Sequence, residues 1–209
     1  MTADIQLHEF KAFPKMPRLS REIVVSEKLD GTNAQVYITE DGDFLTGSRN
    51  RWITPQNDNY GFSRWAHEHK EELMLLGPGR HYGEWWGSGI QRGYGLKGND
   101  KRFSLFNTQR WCLHNETPGT LDIQDFSRNQ LLVKYQERLP KCCGLVPVLY
   151  KGDFDAEEID GQVGRLRDFG SLAVDGYMNP EGIVVFHTAA NQCFKKTLEH
   201  DESPKSLVA

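Results

Sequence analysis

Between Glu22 and Ser48 the chain reads EIVVSEKLDGTNAQVYITEDGDFLTGS, three runs rich in β-branched and aromatic residues separated by DGTN at 30–33 and EDGD at 40–43. Runs this short, bounded by residues that reverse a chain, specify antiparallel strands rather than helices. Gly31 supplies the positive φ that a tight hairpin turn requires. The simplest arrangement is therefore a three-stranded meander of 22–29, 34–39 and 44–48.

Further along, Phe62, Trp65, Ala66, Leu73 and Leu76 keep helical spacing, and Gly77, Pro78 and Gly79 end that helix. Strands follow in HYGEWWG (81–87) and RFSLFNT (102–108), joined by a glycine-rich, basic loop over 88–102. The pattern predicts helices near 125–138 and, behind an Asp155 N-cap, near 156–168. DGYMNPEG (175–182) then turns into IVVFH, and TAANQ (188–192) into CFKKTL. The fold class this implies is α+β, in one domain over residues 1–200 with a polar tail at 201–209.

With 209 residues, 38% hydrophobic and 26% charged, the chain can bury a core of its own. Its net charge of −4 is no signature of a polyanion binder. A nucleic-acid partner must instead use local cations: Lys11, Lys15, Arg18 and Arg21; Arg49 and Arg51; or Arg92, Lys97, Lys101 and Arg102. No apolar run is long enough to span a bilayer and no leader pattern opens the chain, so the expectation is a cytoplasmic protein with no membrane partner. Cys112, Cys142, Cys143 and Cys193 form no C-x-x-C pair and read as reduced thiols without zinc.

Lys28 ends the first strand run. A lysine amine is nucleophilic only when unprotonated, and its ordinary pKa lies near ~10.4, so burial at a strand end or a neighbouring cation must assist it. Attack on a carbonyl would give a Schiff base, and attack on a nucleotide α-phosphate a phosphoramidate. The second needs a carboxylate for metal, cations for phosphate oxygens and contacts for base and ribose.

The order of the remaining blocks chooses between them. EKLDGTN resembles motif I, K-x-D-G, of the covalent nucleotidyltransferases, the polynucleotide ligases and messenger-RNA capping enzymes. GSRNRW (47–52), YGEWWG (82–87), RFSLFNT, EGIVV (181–185) and FKKT (194–197) are similar to motifs Ia, III, IIIa, IV and V. K-x-D-G alone is a weak signal; six blocks in order over residues 26–197 are a specific one. Within the superfamily, KLDGTN with PEGIVV most closely resembles the ATP-dependent RNA ligases of the phage RNA ligase 2 type. The resemblance implies antiparallel sheets flanked by helices around a nucleotide cleft, an ATP-grasp-like ligase domain.

The resemblance also implies three steps. Lys28 takes AMP from ATP, AMP passes to a 5′-phosphate, and a 3′-hydroxyl displaces it, with magnesium or manganese on the phosphates. Lys28 is then the nucleophile, Glu181 the metal ligand and Lys195 a phosphate contact, with Lys196 as the reserve. Motif V commonly reads K-x-K; here the lysines are adjacent, and neighbouring strand side chains point to opposite faces. Asp30 and Gly31 shape the turn after Lys28, Asn33 orients metal or phosphates, and Glu27 counts among the nucleotide contacts. Arg49 contacts ribose or a strand terminus, because a guanidinium fork suits oxygen pairs. Glu84 accepts from a ribose hydroxyl. Phe106 stacks on the adenine, followed by Asn107 where the family commonly has Asp, while Trp85 and Trp86 pack on either face of their strand.

DNA ligases and capping enzymes continue past motif V into an OB-fold, and phage RNA ligase 2 into a helical domain. Here only residues 198–209 follow. The expectation is a minimal catalytic domain with no OB-fold, acting on nicked duplex RNA, RNA/DNA hybrid or DNA with 5′-phosphate and 3′-hydroxyl ends. Strand grip would come from its own surface, from a separate protein, or from a substrate already held in a duplex. A GTP-dependent capping-type guanylyltransferase and a non-catalytic nucleotide or nucleic-acid binding module stay open as rivals.

Overall fold

The computed structural model describes residues 11–111 and 139–202. The helix expected near 125–138 lies outside them. In chain order the elements are β1 (Glu22–Lys28), β2 (Thr32–Ile38), β3 (Phe44–Ser48), β4 (Trp52–Ile53), α1 (Phe62–Glu68), α2 (Lys70–Leu73), β5 (Gly79–Gly87), β6 (Lys101–Leu105), α3 (Thr108–Trp111), β7 (Gly144–Leu145), β8 (Val148–Asp153), α4 (Ala156–Phe169), β9 (Gly182–His187) and β10 (Gln192–Thr197). This is the α+β architecture that the sequence predicts, with the expected helix over 62–76 divided at His69.

The strands form two sheets. One has the order β10-β9-β1-β8 and the other β4-β3-β2-β5-β6-β7. Every pairing is antiparallel except β6 with β7, a two-residue parallel contact. Each sheet buries one face under a helix. Ile23, Val25, Ile183 and Val185 pack with Val163 and Leu166 of α4, whose N-terminus is capped as expected by Asp155 Oδ1 accepting from Glu157 N at 2.8 Å. Val36, Ile38, Trp85, Phe103 and Leu105 pack with Phe62 and Ala66 of α1. A third cluster of Leu29, Trp86, Tyr94 and Val146 joins the two sheets through their other faces. Trp85 and Trp86 thus serve opposite sides of β5, following the period-2 alternation of a strand.

The meander expectation fails at its first turn. β1 pairs with β8 and β9, and β2 pairs with β3 and β5, so the strands flanking DGTN belong to different sheets. Gly31 does not have a positive φ. It is small for a different reason: a Cβ there would collide with the Trp85 carbonyl oxygen and the Trp86 Cβ. The segment is a crossover pressed against β5, and close backbone approach, not turn geometry, requires the glycine.

Candidate active site

The crossover sets Lys28 at the junction of the two sheets. Ile23, Val25 and Glu27 point to the α4 side of β1, so alternation sends Lys28 to the other side, toward the second sheet. Lys28 lies directly opposite Gly182 in β9. Its Nζ donates to Glu181 Oε2 at 2.5 Å, with the Lys28 side chain 23% exposed and that of Glu181 only 2%. Gly182 has φ 150° and a Cβ there would strike the Lys196 carbonyl oxygen, so this residue must be glycine for β10 to close over the Glu181 segment.

From the second sheet, β5 supplies Glu84. Its Oε1 accepts from Gly31 N at 3.0 Å and its Oε2 from Asn33 Nδ2 at 3.2 Å. Burial pushes the Glu84 carboxyl up to about 7; the Lys28 charge and the Gly31 N–H oppose the rise, and the Glu181 and Asp30 charges add to it. Lys28, Glu181, Glu84 and Asn33 are therefore one electrostatic unit drawn from both sheets.

The adjacent lysines separate as strand alternation demands. Lys195 pairs with Val184, itself opposite Ser26, on the Lys28 face of the sheet. Lys196 pairs with Ile183, whose side chain is in the α4 core, and its Nζ reaches Asp160 Oδ1 of α4 at 2.5 Å. Arg49 and Phe106 line one cavity of about 370 Å³ with Asn33, Ala34, Gln35, Ser48 and Tyr82. Both are exposed, and Arg49 makes no ion pair or hydrogen bond among the described residues.

Glu27 is not brought to the cluster. Its carboxylate is buried on the α4 side, accepting from Ser171 Oγ at 2.5 Å, Leu172 N at 2.8 Å and Ala173 N at 3.3 Å. It fastens the chain after α4 beneath β1. Asp30 is also buried, and its Oδ2 accepts from Arg92 Nε at 3.1 Å. The same Arg92 donates from Nη1 to Asn179 Oδ1 at 2.6 Å and to Asn179 O at 3.2 Å, while its Nη2 lies 3.7 Å from Glu199 Oε2. In sequence Arg92 belongs to a basic cluster with Lys97, Lys101 and Arg102; in space it ties the turn after Lys28 to the segments before β9 and after β10. Tyr94, whose hydroxyl accepts from Asp30 N at 3.1 Å, was likewise missed. A single arginine and a tyrosine in the glycine-rich segment GSGIQRGYGLKG are the only local signal for either.

Two β-sheets that bring together a strand-end lysine, two buried glutamates and one of two late lysines are the arrangement of a nucleotidyltransferase core. Residues 21–197 match the model of the RNA ligase family, and the chain belongs to that family. Solved structures with the same fold include Naegleria gruberi RNA ligase variants: one with ATP and manganese (23% identity, TM-score 0.57, covering 87% of this chain and 51% of that one) and one with AMP and manganese (25%, 0.53, 86% and 50%). A third, without ligand, is 24% identical with a TM-score of 0.56, over 88% and 53% of the two chains. The present chain spans about half the length of these relatives. No curated protein sequence matches it.

Proposed function

We propose that residues 1–200 form the adenylylation module of an ATP-dependent RNA ligase acting through a covalent lysyl-AMP intermediate on Lys28. The observation that carries this reading is the 2.5 Å approach of Lys28 Nζ to the buried Glu181 carboxylate, on the face that also holds Lys195 and opposite Glu84 of the second sheet. The nitrogen of Lys28, once deprotonated, attacks the α-phosphorus of ATP; an N–P bond forms and the bond to pyrophosphate breaks. A 5′-phosphate oxygen then takes the AMP from the lysine, and a 3′-hydroxyl displaces AMP to leave a phosphodiester. Lys195 would meet phosphate oxygens, Arg49 and Phe106 frame the cavity beside Asn33, and the Glu84 carboxyl would accept from a ribose hydroxyl.

A divalent ion fits this donor set as a companion of the nucleotide. Among the described residues no group of three His, Cys, Asp or Glu side chains could hold a metal alone. One buried carboxylate facing phosphate is what magnesium commonly uses, its other ligands being water and substrate oxygens. Glu181 would hold the ion, which would draw charge from the α-phosphate. The ATP and manganese in the Naegleria gruberi structures support that pairing. The family directs the substrate to RNA with 5′-phosphate and 3′-hydroxyl ends. No described helix is long and apolar enough to cross a membrane.

Incubation with α-labelled ATP and magnesium is expected to leave label on the protein that resists alkali and is released by acid, as a phosphoramidate is, and Lys28→Ala to abolish it. Label that persists on the Lys28→Ala variant would overturn the assignment.

A further inference from the structure

The face of the six-stranded sheet that carries Glu84 continues beyond the site as an open aromatic row. Along β2 and β5 the pairs Asn33/Glu84, Gln35/Tyr82 and Tyr37/Arg80 lie directly opposite one another, all on that face. Two residues of strand advance about 6.8 Å, so successive pairs form steps of that length leading away from Lys28. Tyr82 and Phe106 are 50% and 42% exposed beside Arg49 in the cavity. At the last step Tyr37 and Trp52 stack with ring centres 6.1 Å apart, and Trp52 is 46% exposed. The Arg80 guanidinium lies 4.2 Å from the Tyr37 ring and 5.2 Å from that of Trp52, and Arg80 Nη1 donates to Gln35 Oε1 at 3.1 Å. The acidic tip Glu40, Asp41 and Asp43 bounds the row.

We propose that this row is a binding track for unpaired nucleotides of the RNA adjoining the end to be joined. Rings half in water cost folding free energy that core packing does not return, whereas bases can cover them by stacking, and arginines interleaved with aromatics suit the phosphates between bases. The spacing selects the single strand. Stacked bases in a duplex rise at most about 3.4 Å per residue of a strand, no more than half the step of the sheet, so only splayed bases can each meet a separate step. The acidic tip repels phosphate and limits the track to the Gln35/Tyr82 and Tyr37/Arg80 steps, beyond the Asn33/Glu84 step at the nucleotide site. The identity of the strand rests on the ligase reading; the track itself does not.

The test uses the full chain and a fluorescent single-stranded RNA of about 12 nucleotides, with the blunt duplex of the same sequence as competitor. Trp52→Ala with Arg80→Ala is expected to weaken single-strand binding roughly tenfold while leaving lysyl-AMP formation unchanged. In the wild type, 4-thiouridine in the strand is expected to crosslink to peptides containing Tyr37, Trp52 or Tyr82, whether or not the double variant folds. Unaltered affinity in a folded variant, equal competition by duplex, or crosslinks confined to other peptides would overturn the track. So would a concentration-dependent dimer that dissolves in the variant, since the patch would then be a protein contact. Absence of lysyl-AMP in the wild type with single-strand binding intact would condemn the ligase reading and leave the track standing.

Discussion

Lys28 and Glu181 are 153 residues apart in the chain and 2.5 Å apart in space, and the link between them is one register: Lys28 of β1 opposite Gly182 of β9. An ammonium against a carboxylate that is 2% exposed satisfies the buried charge. On the proposed function, ATP would separate this pair for the amine to act, and Glu181 would then hold the ion.

Glu84 gives the site a pH dependence. Its carboxyl is raised from 4.5 to about 7, so the folded chain keeps a proton there that the unfolded chain has lost. Stability therefore falls as pH rises through that interval. Glu84→Gln lacks the penalty, and in urea unfolding its stability relative to the wild type should improve by up to about 3 kcal/mol between pH 5 and pH 8. An unchanged difference at the two pH values would exclude a raised Glu84.

Arg92 acts through others, as a positioning residue. Arg92→Ala leaves the Asp30 carboxylate buried without its guanidinium and frees the turn after Lys28, so lysyl-AMP formation should slow roughly tenfold to a hundredfold. Adding Asp30→Asn should recover stability in urea unfolding, because the buried charge that Arg92 balanced is gone, without recovering the rate. Additive stability losses would show that the pair is not coupled.

Glu27 is expected to matter for folding. Glu27→Ala removes the carboxylate to which Ser171 Oγ and the Leu172 and Ala173 amides donate and should cost about 3 kcal/mol in urea unfolding. ATP affinity of the folded fraction should match the wild type. A variant with normal stability and weakened ATP binding would place Glu27 at the nucleotide after all.

The two late lysines should part company. Lys195→Ala, on the Lys28 face, should reduce labelling by ATP at least tenfold, about the worth of a lost charge-assisted contact to phosphate. Lys196→Ala breaks only the partly exposed pair with Asp160, with a cost of about 0.5 kcal/mol and little change in rate. Labelling assays on the two variants decide it, and the reverse ranking would mean that β10 is shifted by one residue.

Much of the site was legible from residue types in order. Lys28, Glu84, Glu181 and Lys195 stand in recognisable blocks, and alternation alone argued that only one of the adjacent lysines could face Lys28. Arg92 and Tyr94 were not legible, because Arg92 meets Asp30 and Asn179 across 62 and 87 residues, Tyr94 meets Asp30 across 64, and side-chain reach leaves no local period. Glu27 misled for a related reason: adjacency to Lys28 in sequence is opposition across a strand.

What the sequence determined by itself was local: where β1, β2, β3, β5, β6, β9 and β10 run, though not β4, β7 or β8, where Asp155 starts a helix, which residues alternate, and that a lysine ends the first strand. Tertiary structure alone decided the pairing. DGTN reads as a hairpin turn, yet β1 and β2 bury their apolar faces against different helices and part into two sheets. Turn propensity is worth little against the burial of Ile23, Val25, Val36 and Ile38. That parting opens the space between the sheets into which Lys28 points.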